Sequence, residues 1–132
     1  MGLDNMWCQI VAPGQTADEF DMTPFSKVIS GSVFAGGCSF RGKVYNSWLY
    51  KETDFSLYNE VLDASTIETI AAHLEDLPVP SDEQCKKLTE ANGDLGVRDG
   101  DFWPFESSEE FIQFRDMFKA AAEKNMLLAS WW

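Results

Sequence analysis

The spacing of apolar residues near the N-terminal end predicts strands and a loop. Met6–Val11 is a short apolar run that ends just before a Pro-Gly pair, which is typical of a buried strand followed by a turn. Residues 14–24 are polar and acidic without periodicity, so we expect a loop there. Residues 28–34 combine β-branched and aromatic side chains with one glycine, which favours one strand or two short ones.

A three-and-four spacing of apolar residues then predicts a helix from Phe40 onward. The side chains that would share its apolar face are Val44, Tyr45, Trp48 and Leu49. Ser39 is of a residue type favoured at helix N-caps. Residues 36–39 would therefore form a glycine-rich lead into a helix start, where backbone N–H groups point outward.

The clearest helical pattern lies between residues 65 and 77. Ser65 and Glu68 match a capping box at its start. The apolar stripe consists of Ile67, Ile70, Ala71, Leu74 and Leu77. Pro78 and Pro80 predict the end of this helix.

Two more capping boxes predict two more helices. Ser81 with Gln84 opens a helix that ends near Gly93, and residues 93–104 form a turn-rich connection. Ser107 with Glu110 opens the next helix. The apolar residues are Cys85 and Leu88 in the first of these helices and Phe111, Phe114, Phe118, Ala121 and Ala122 in the second.

The resulting order of elements predicts an α+β fold. After a turn at Asn125, the apolar residues 126–132 indicate a final strand. We expect residues 1–132 to form a single domain, since a chain of 132 residues buries roughly two-thirds of its unfolded surface. In this fold the N- and C-terminal strands belong to one small sheet that about four helices cover on one face.

The acidic composition narrows the classes of partner. The net charge of −12 disfavours binding to nucleic acid or to an anionic membrane surface. This negative charge leaves two interpretations open. The acidic surface is either simply solvated, or it belongs to an acidic inhibitor that presents carboxylates to a basic protein partner. The start of the chain lacks a basic n-region, so a secretion signal is not predicted.

The cysteines indicate neither a disulfide framework nor a zinc site. Cys8, Cys38 and Cys85 are odd in number and have no CxxC or CxxH spacing. A reducing cytoplasm is therefore the expected location, and we predict no metal and no cofactor.

One acid-free window suggests an anion site. Residues 23–51 contain four basic residues and no Asp or Glu, whereas the rest of the chain sums to −16. Within this window, Gly37, Gly42 and Lys43 fit the phosphate-loop pattern GxxxxGK. The next residue is Val44, which lacks the hydroxyl that would bind Mg²⁺, so nucleotide hydrolysis is disfavoured. The predicted residues for a smaller anion are Gly37, Ser39, Arg41, Gly42 and Lys43.

A cysteine-dependent enzyme is an alternative hypothesis. Cys38 lies at the predicted helix start near two cations, where a thiol pKa falls. His73 is the only histidine, so it would be the general base, with Glu68 or Asp76 as its orienting acid. A boundary histidine on the side of its helix is the simpler interpretation.

Two other groups of residues have simple interpretations. Asp94, Asp99 and Asp101 offer oxygen ligands for calcium, but their spacing fails the EF-hand pattern and indicates a solvated acidic loop. The aromatic residues near the C-terminal end are expected to be mostly core. The two terminal tryptophans are expected either to be buried in the sheet of the chain itself or to contact a second copy in a homodimer. These aromatic residues are Phe102, Trp103, Phe105, Trp131 and Trp132.

Several short motifs give the chain a family resemblance. The opening MGLD, the SFRGKVY run at residues 39–45, the Leu57–Tyr58 pair and the tryptophan end together resemble a group of small uncharacterised bacterial or phage-type proteins. The resemblance implies a small cytoplasmic bacterial protein and no particular activity. The charge segregation, combined with the absence of any complete catalytic set in the sequence, makes a noncatalytic binding module for a small anion or a protein partner the leading hypothesis.

Overall fold

The described part of the chain consists of four helices and one four-stranded sheet. The computed structural model describes residues 3–9, 11–17, 20–25, 29, 39–92 and 103–131. The strands are β1 (Asp4–Cys8), β2 (Ser39–Phe40), β3 (Val61–Leu62) and β4 (Leu127–Trp131). The helices are α1 (Gly42–Thr53), α2 (Ala64–Asp76), α3 (Asp82–Asn92) and α4 (Ser108–Glu123).

The sheet confirms the α+β prediction. Its strands are antiparallel in the order β2-β1-β4-β3, so the first and last strands are neighbours at the centre. The β1–β4 pairing runs from Asp4 opposite Trp131 to Cys8 opposite Leu127. The first strand therefore begins two residues before the predicted Met6, because its partner strand decides its limits. Beyond Cys8 the Gln9 side chain donates a hydrogen bond to the Lys124 carbonyl (2.9 Å) instead of extending the ladder.

The core lies between one face of the sheet and the helices. Asn5 and Trp7 of β1 and Leu128 of β4 are buried, while Met6 and Cys8 on the other face of β1 are half-buried. Trp7 lies edge-on to Phe118 of α4, with ring centroids 5.2 Å apart. Such an edge-to-face arrangement adds to the stabilisation from buried area.

The predicted N-terminal loop contributes more to the core than its polar composition suggests. Phe20, Met22 and Phe25 are all buried, and residues 23–25 form a short 3-10 turn. Ile29 is also buried, but the rest of the strand predicted over residues 28–34 lies outside the described residues. Isolated apolar residues in a polar stretch can therefore mark a packed segment even without periodicity.

The start of α3 confirms its capping box, whereas the start of α4 confirms Ser107 as the N-cap without the reciprocal bond to the Ser107 N–H. In α3 the Ser81 hydroxyl accepts from the Gln84 N–H (3.1 Å) and the Gln84 side chain accepts from the Ser81 N–H (2.9 Å). In α4 the Ser107 hydroxyl accepts from the Glu110 N–H (3.1 Å). The Glu110 carboxyl accepts from the N–H of Glu106, one residue before the cap.

The predicted start of α2 is wrong by two residues. The N-cap is Asp63, whose carboxylate accepts from the Thr66 N–H (2.9 Å). Ser65 lies inside the first turn and donates its hydroxyl to the same carboxylate. Aspartate and serine are about equally good N-caps, so residue type alone could not decide between Asp63 and Ser65. The predicted stripe is confirmed, with Leu77 half-buried at the C-cap.

The last turn and strand follow the sequence prediction closely. Asn125 has a φ of 55°, in the left-handed region that asparagine tolerates, and it separates α4 from β4. β4 ends at Trp131, one residue short of the predicted limit, and Trp132 lies outside the described residues. Among the described residues, no helix is both long enough and apolar enough to cross a lipid bilayer.

Candidate functional site

The predicted helix start at Ser39 is wrong. Ser39 and Phe40 form β2 and pair with Met6 and Asn5 of β1, and both are buried. Helix α1 begins at Gly42, and Arg41 occupies the N-cap position without a side-chain capping bond. Local spacing favoured a helix from Phe40, but pairing with β1 holds these two residues in an extended conformation.

The start of α1 faces the first strand. A Cβ at Gly42 would collide with the buried side chain of Asn5. The Lys43 N–H donates to the Leu3 carbonyl (3.2 Å). Gly42 is therefore required for close packing, and one of the N–H groups that a phosphate loop would use is already bonded within the protein.

The two cations of the predicted anion site are both exposed. Arg41 and Lys43 flank Gly42 and form no ion pair with a described acid. Gly37 lies outside the described residues, as do Gly36 and Cys38. The anion site stays a prediction, and its binding energy would come from these two side chains rather than from the Lys43 amide.

His73 has a different acidic neighbour from those predicted. Its Nε2 lies 3.1 Å from Oε2 of Glu52 on α1, whereas the predicted partners were Glu68 and Asp76 of its own helix. Both side chains of this pair are partly exposed. The Cys38 half of the predicted catalytic pair lies outside the described residues, so that hypothesis stays untested.

Cys85 does not offer an activated thiol. Burial raises the pKa of the Cys85 thiol, and the nearby carboxylates of Asp82 and Glu110 raise it further, against a lowering contribution from Trp103. Cys8 is half-buried on β1. No three His, Cys, Asp or Glu side chains within the described ranges group as a metal site, and the three aspartates at residues 94–101 lie outside those ranges.

The described residues enclose a concave site between α1, the α2–α3 connection, α3 and the start of α4. We call it the α1–α3 cleft. Its volume is about 230 Å³, and it is partly open to solvent. The described residues that line it are Trp48, Glu52, Leu77, Pro78, Val79, Pro80, Gln84, Leu88, Trp103 and Phe111.

Aromatic side chains form the inner wall of the cleft. Trp48 of α1 lies edge-on to Trp103 and to Phe111, in each case with centroids 6.0 Å apart. Phe105 packs behind Trp48 at 4.8 Å. The Trp103 indole N–H donates to the Phe105 carbonyl (2.8 Å), which fixes the ring and satisfies its polar group.

Aliphatic residues form the outer rim of the cleft. Leu77 ends α2 in an extended conformation and leads into Pro78, Val79 and Pro80. Val79 is 44% exposed, and Leu88 of α3 is 41% exposed. Single exposed aliphatic residues are common on protein surfaces, whereas these two line the same aromatic cleft and so form one small apolar patch.

A buried hydrogen-bonded pair supports the base of this region. The Tyr45 hydroxyl of α1 donates to the Glu110 carboxyl of α4 (2.6 Å). Burial raises the pKa of Glu110, while the bonds from Tyr45 and the Glu106 N–H lower it in part. The pair joins α1 to α4 directly beneath the aromatic wall, since the Tyr45 ring lies 5.7 Å from the Phe105 ring.

A second groove, between α2 and α4, has a different character. It is lined by three alanines and by four charged residues, among them Lys119 and Glu75. These two form an exposed ion pair (3.0 Å) that also raises the pKa of Lys119. Because its charges are paired or solvated and its apolar residues are small, this groove offers little to a ligand.

Sequence reasoning missed the cleft because its walls come from separate segments. Pro78 and Pro80 were interpreted only as a helix end, and Trp48 and Leu88 only as core residues. An available signal was Leu88, a large apolar residue on the mostly polar helix α3.

Comparison with known proteins adds no relative. No protein-family model, no curated protein and no solved structure matches this chain. The resemblance of its short motifs to small bacterial proteins therefore stays a prediction, and the function has to be argued from the cleft itself.

Proposed function

We propose that this protein is a noncatalytic binding module and that the α1–α3 cleft accepts one side chain from a short segment of a protein partner. The observation that carries the proposal is the exposure of Val79 and Leu88 beside the aromatic wall of Trp48 and Trp103. Apolar rims around an aromatic pocket are the usual form of the anchor sites that dominate binding energy at protein interfaces.

The size of the cleft supports a single inserted side chain. Pockets for drug-sized ligands measure roughly 300–1,000 Å³. The cleft, at about 230 Å³, lies below this range. A partner segment would therefore lie over the rim and insert one residue.

The construction of the walls favours binding without a large rearrangement. Two proline rings restrict the α2–α3 connection, and Pro80 is buried. The Ser81–Gln84 capping box fixes the start of α3 immediately afterwards. A site that is already ordered loses little conformational entropy when a ligand binds.

Selection from a random library of short displayed peptides tests the proposal. We expect enriched peptides to bind the parent protein and to bind Leu88→Ser about tenfold more weakly, because the substitution removes apolar contact area from the rim. Tyr50→Ser is the matched control, since Tyr50 is 51% exposed and does not line the cleft. Equal binding to all three proteins, or no enrichment at all, would contradict the proposal.

A second candidate is the anion site at Arg41 and Lys43, which their exposure and lack of a described acidic partner favour. Thermal unfolding with inorganic phosphate, sulfate and nucleotides tests it, because a ligand that binds only the folded state raises the midpoint. A rise in the parent that disappears in the Arg41→Ala, Lys43→Ala double variant would support this site. No rise with any anion would remove it.

A further inference from the structure

The α1–α3 cleft carries little charge, and the charge it carries is negative. Among the described residues that line it, Glu52 is the only charged one, and no lysine or arginine takes part. Among the same described lining residues, Gln84 is the only one with a side-chain amide. The lining is thus apolar and aromatic, with a single carboxylate at one position.

The position of Glu52 leaves its carboxylate open to a ligand. Glu52 lies in the last turn of α1, one turn beyond Trp48, so both side chains project towards the same side of the helix. Its Oε2 contacts Nε2 of His73 at 3.1 Å, and Oε1 accepts no hydrogen bond from a described residue. The side chain of Glu52 is 31% exposed, so a cationic group can approach it from solvent.

The aromatic wall complements the carboxylate. Indole rings attract cations through the negative charge on their faces, and tryptophan is the best of the aromatic residues for this. Trp48 and Trp103 both line the cleft that Glu52 lines. The indole N–H of Trp103 is already bonded to the Phe105 carbonyl, so this group does not need an acceptor from the ligand.

The rim suits the other part of such a ligand. Pro78, Val79 and Leu88 offer apolar surface for a flexible methylene stem. Lysine and arginine side chains combine such a stem with a terminal cation and pack in this manner on apolar surfaces. The net charge of −12 on the chain adds long-range attraction for a basic partner.

We propose that the side chain taken up by the α1–α3 cleft is a lysine or arginine of the partner segment. Its stem packs against Pro78, Val79 and Leu88, and its cationic end lies between the indole wall and the carboxylate of Glu52. This inference rests on the proposed function, since it names the chemistry of the residue that the binding module recognises.

Binding of two matched peptide libraries tests the inference. The libraries have the same randomised flanking positions and differ at one fixed central residue. One library holds lysine or arginine there, and the other holds norleucine or citrulline, which keep the stem and lose the charge. We expect the parent protein to enrich the charged library and to bind its best members about tenfold more tightly than their uncharged counterparts, the size expected for one charge-assisted hydrogen bond.

Three variants separate the role of Glu52 from general electrostatics. Glu52→Gln should remove the preference for the charged peptides. Glu60→Gln removes the same charge from an exposed position outside the cleft and should leave the preference intact. His73→Gln keeps the carboxylate while removing its neighbour, so binding of charged peptides should be retained. Thermal unfolding of each variant verifies that it is folded.

The outcomes distinguish this inference from the function on which it rests. Equal binding of charged and uncharged peptides, with both lost in Leu88→Ser, would overturn the inference and leave the binding module in place. A preference that survives in Glu52→Gln would also overturn it. Failure of both libraries to bind, while the fully random library still yields peptides that Leu88→Ser weakens, would overturn the inference and leave the binding module in place. Failure of all three libraries would overturn the inference and the proposed function together.

Discussion

The side chain of Asn5 lies directly against the backbone of Gly42, where a Cβ atom would overlap with it. Asn5 is 1% exposed, and its amide nitrogen donates to the Leu57 carbonyl (3.0 Å), while no described residue donates a hydrogen bond to its Oδ1. The contact holds the start of α1 against β1. The second glycine of the GxxxxGK pattern is therefore explained by packing, without a phosphate.

Gly42→Ala should destabilise the fold. Forcing a methyl group into a packed site costs about 1–3 kcal/mol of unfolding free energy. Denaturant unfolding of the parent and the variant measures the difference. The Asn5→Ala variant and the Asn5→Ala, Gly42→Ala double variant complete a double-mutant cycle of unfolding free energies. Because Asn5→Ala removes the atoms that Gly42→Ala would meet, the double variant should lose less than the two single variants combined. Additive losses would show that the two residues do not meet.

The same region shows how far local sequence could predict the structure. The caps of α3 and α4 were predictable because both partners lie within four residues of each other in the chain. The strand at Ser39 and Phe40 was not, because the residues that hold it extended are Met6 and Asn5, more than thirty positions away. The spacing of apolar residues favours a helix there, and long-range pairing overrides it.

The candidate site was harder to predict than the fold for a related reason. Trp48, Val79, Leu88 and Trp103 are far apart in the sequence, and each has an ordinary interpretation as a core or turn residue. Whether these residues lie in the core or line a cleft depends on their exposure to solvent, and the spacing of apolar residues in the sequence does not reveal that exposure. Charge segregation pointed instead to Arg41 and Lys43, which lie on the surface at the start of α1.

Tyr45→Phe should destabilise the protein by leaving the buried carboxyl of Glu110 without one of its donors. Loss of a partner to a buried polar group costs about 1–3 kcal/mol. Denaturant unfolding at neutral pH measures this loss. Tyr50→Phe on the same helix removes a hydroxyl from an exposed position and should change little. Similar losses in both variants would contradict a special role for the Tyr45–Glu110 bond.

The Glu110→Gln variant should change how stability depends on pH. Burial raises the pKa of Glu110 above its ordinary value of 4.5, so its contribution to stability is fully present below 4.5 and is lost as pH rises through the folded-state pKa. The unfolding free energy of the parent should therefore fall relative to that of Glu110→Gln between acidic and neutral pH. Glu109→Gln, an exposed change in the same turn, is the control. Parallel curves for the parent and Glu110→Gln would contradict the prediction.

Asp63→Ala should weaken α2 more than Ser65→Ala does, because Asp63 accepts the Thr66 N–H at the helix start. This backbone bond, with the side-chain bonds from Thr66 and Ser65, lowers the pKa of Asp63 below 3.8. Its contribution to stability is thus present above 3.8 and is lost as pH falls through the folded-state pKa. Denaturant unfolding of the parent and both variants at neutral and acidic pH measures these effects. The unfolding free energy of Asp63→Ala should lie below that of the parent at neutral pH, and this difference should shrink at acidic pH. An equal or larger effect of Ser65→Ala would restore Ser65 as the cap.

Cys85 should resist alkylation in the folded protein. The thiolate is the reactive form, and burial raises the pKa of this thiol while its side chain is fully inaccessible. Iodoacetamide labelling followed by peptide mass spectrometry should show Cys85 reacting at least about tenfold more slowly in the folded than in the unfolded protein, since reaction requires opening of the core. Equal rates would contradict the buried position.

The same digests report the alkylation rate of Cys38 as a function of pH. Reaction of Cys38 well below neutral pH would favour the cysteine-dependent enzyme with His73 as base, whereas the pH dependence of an ordinary thiol would exclude it.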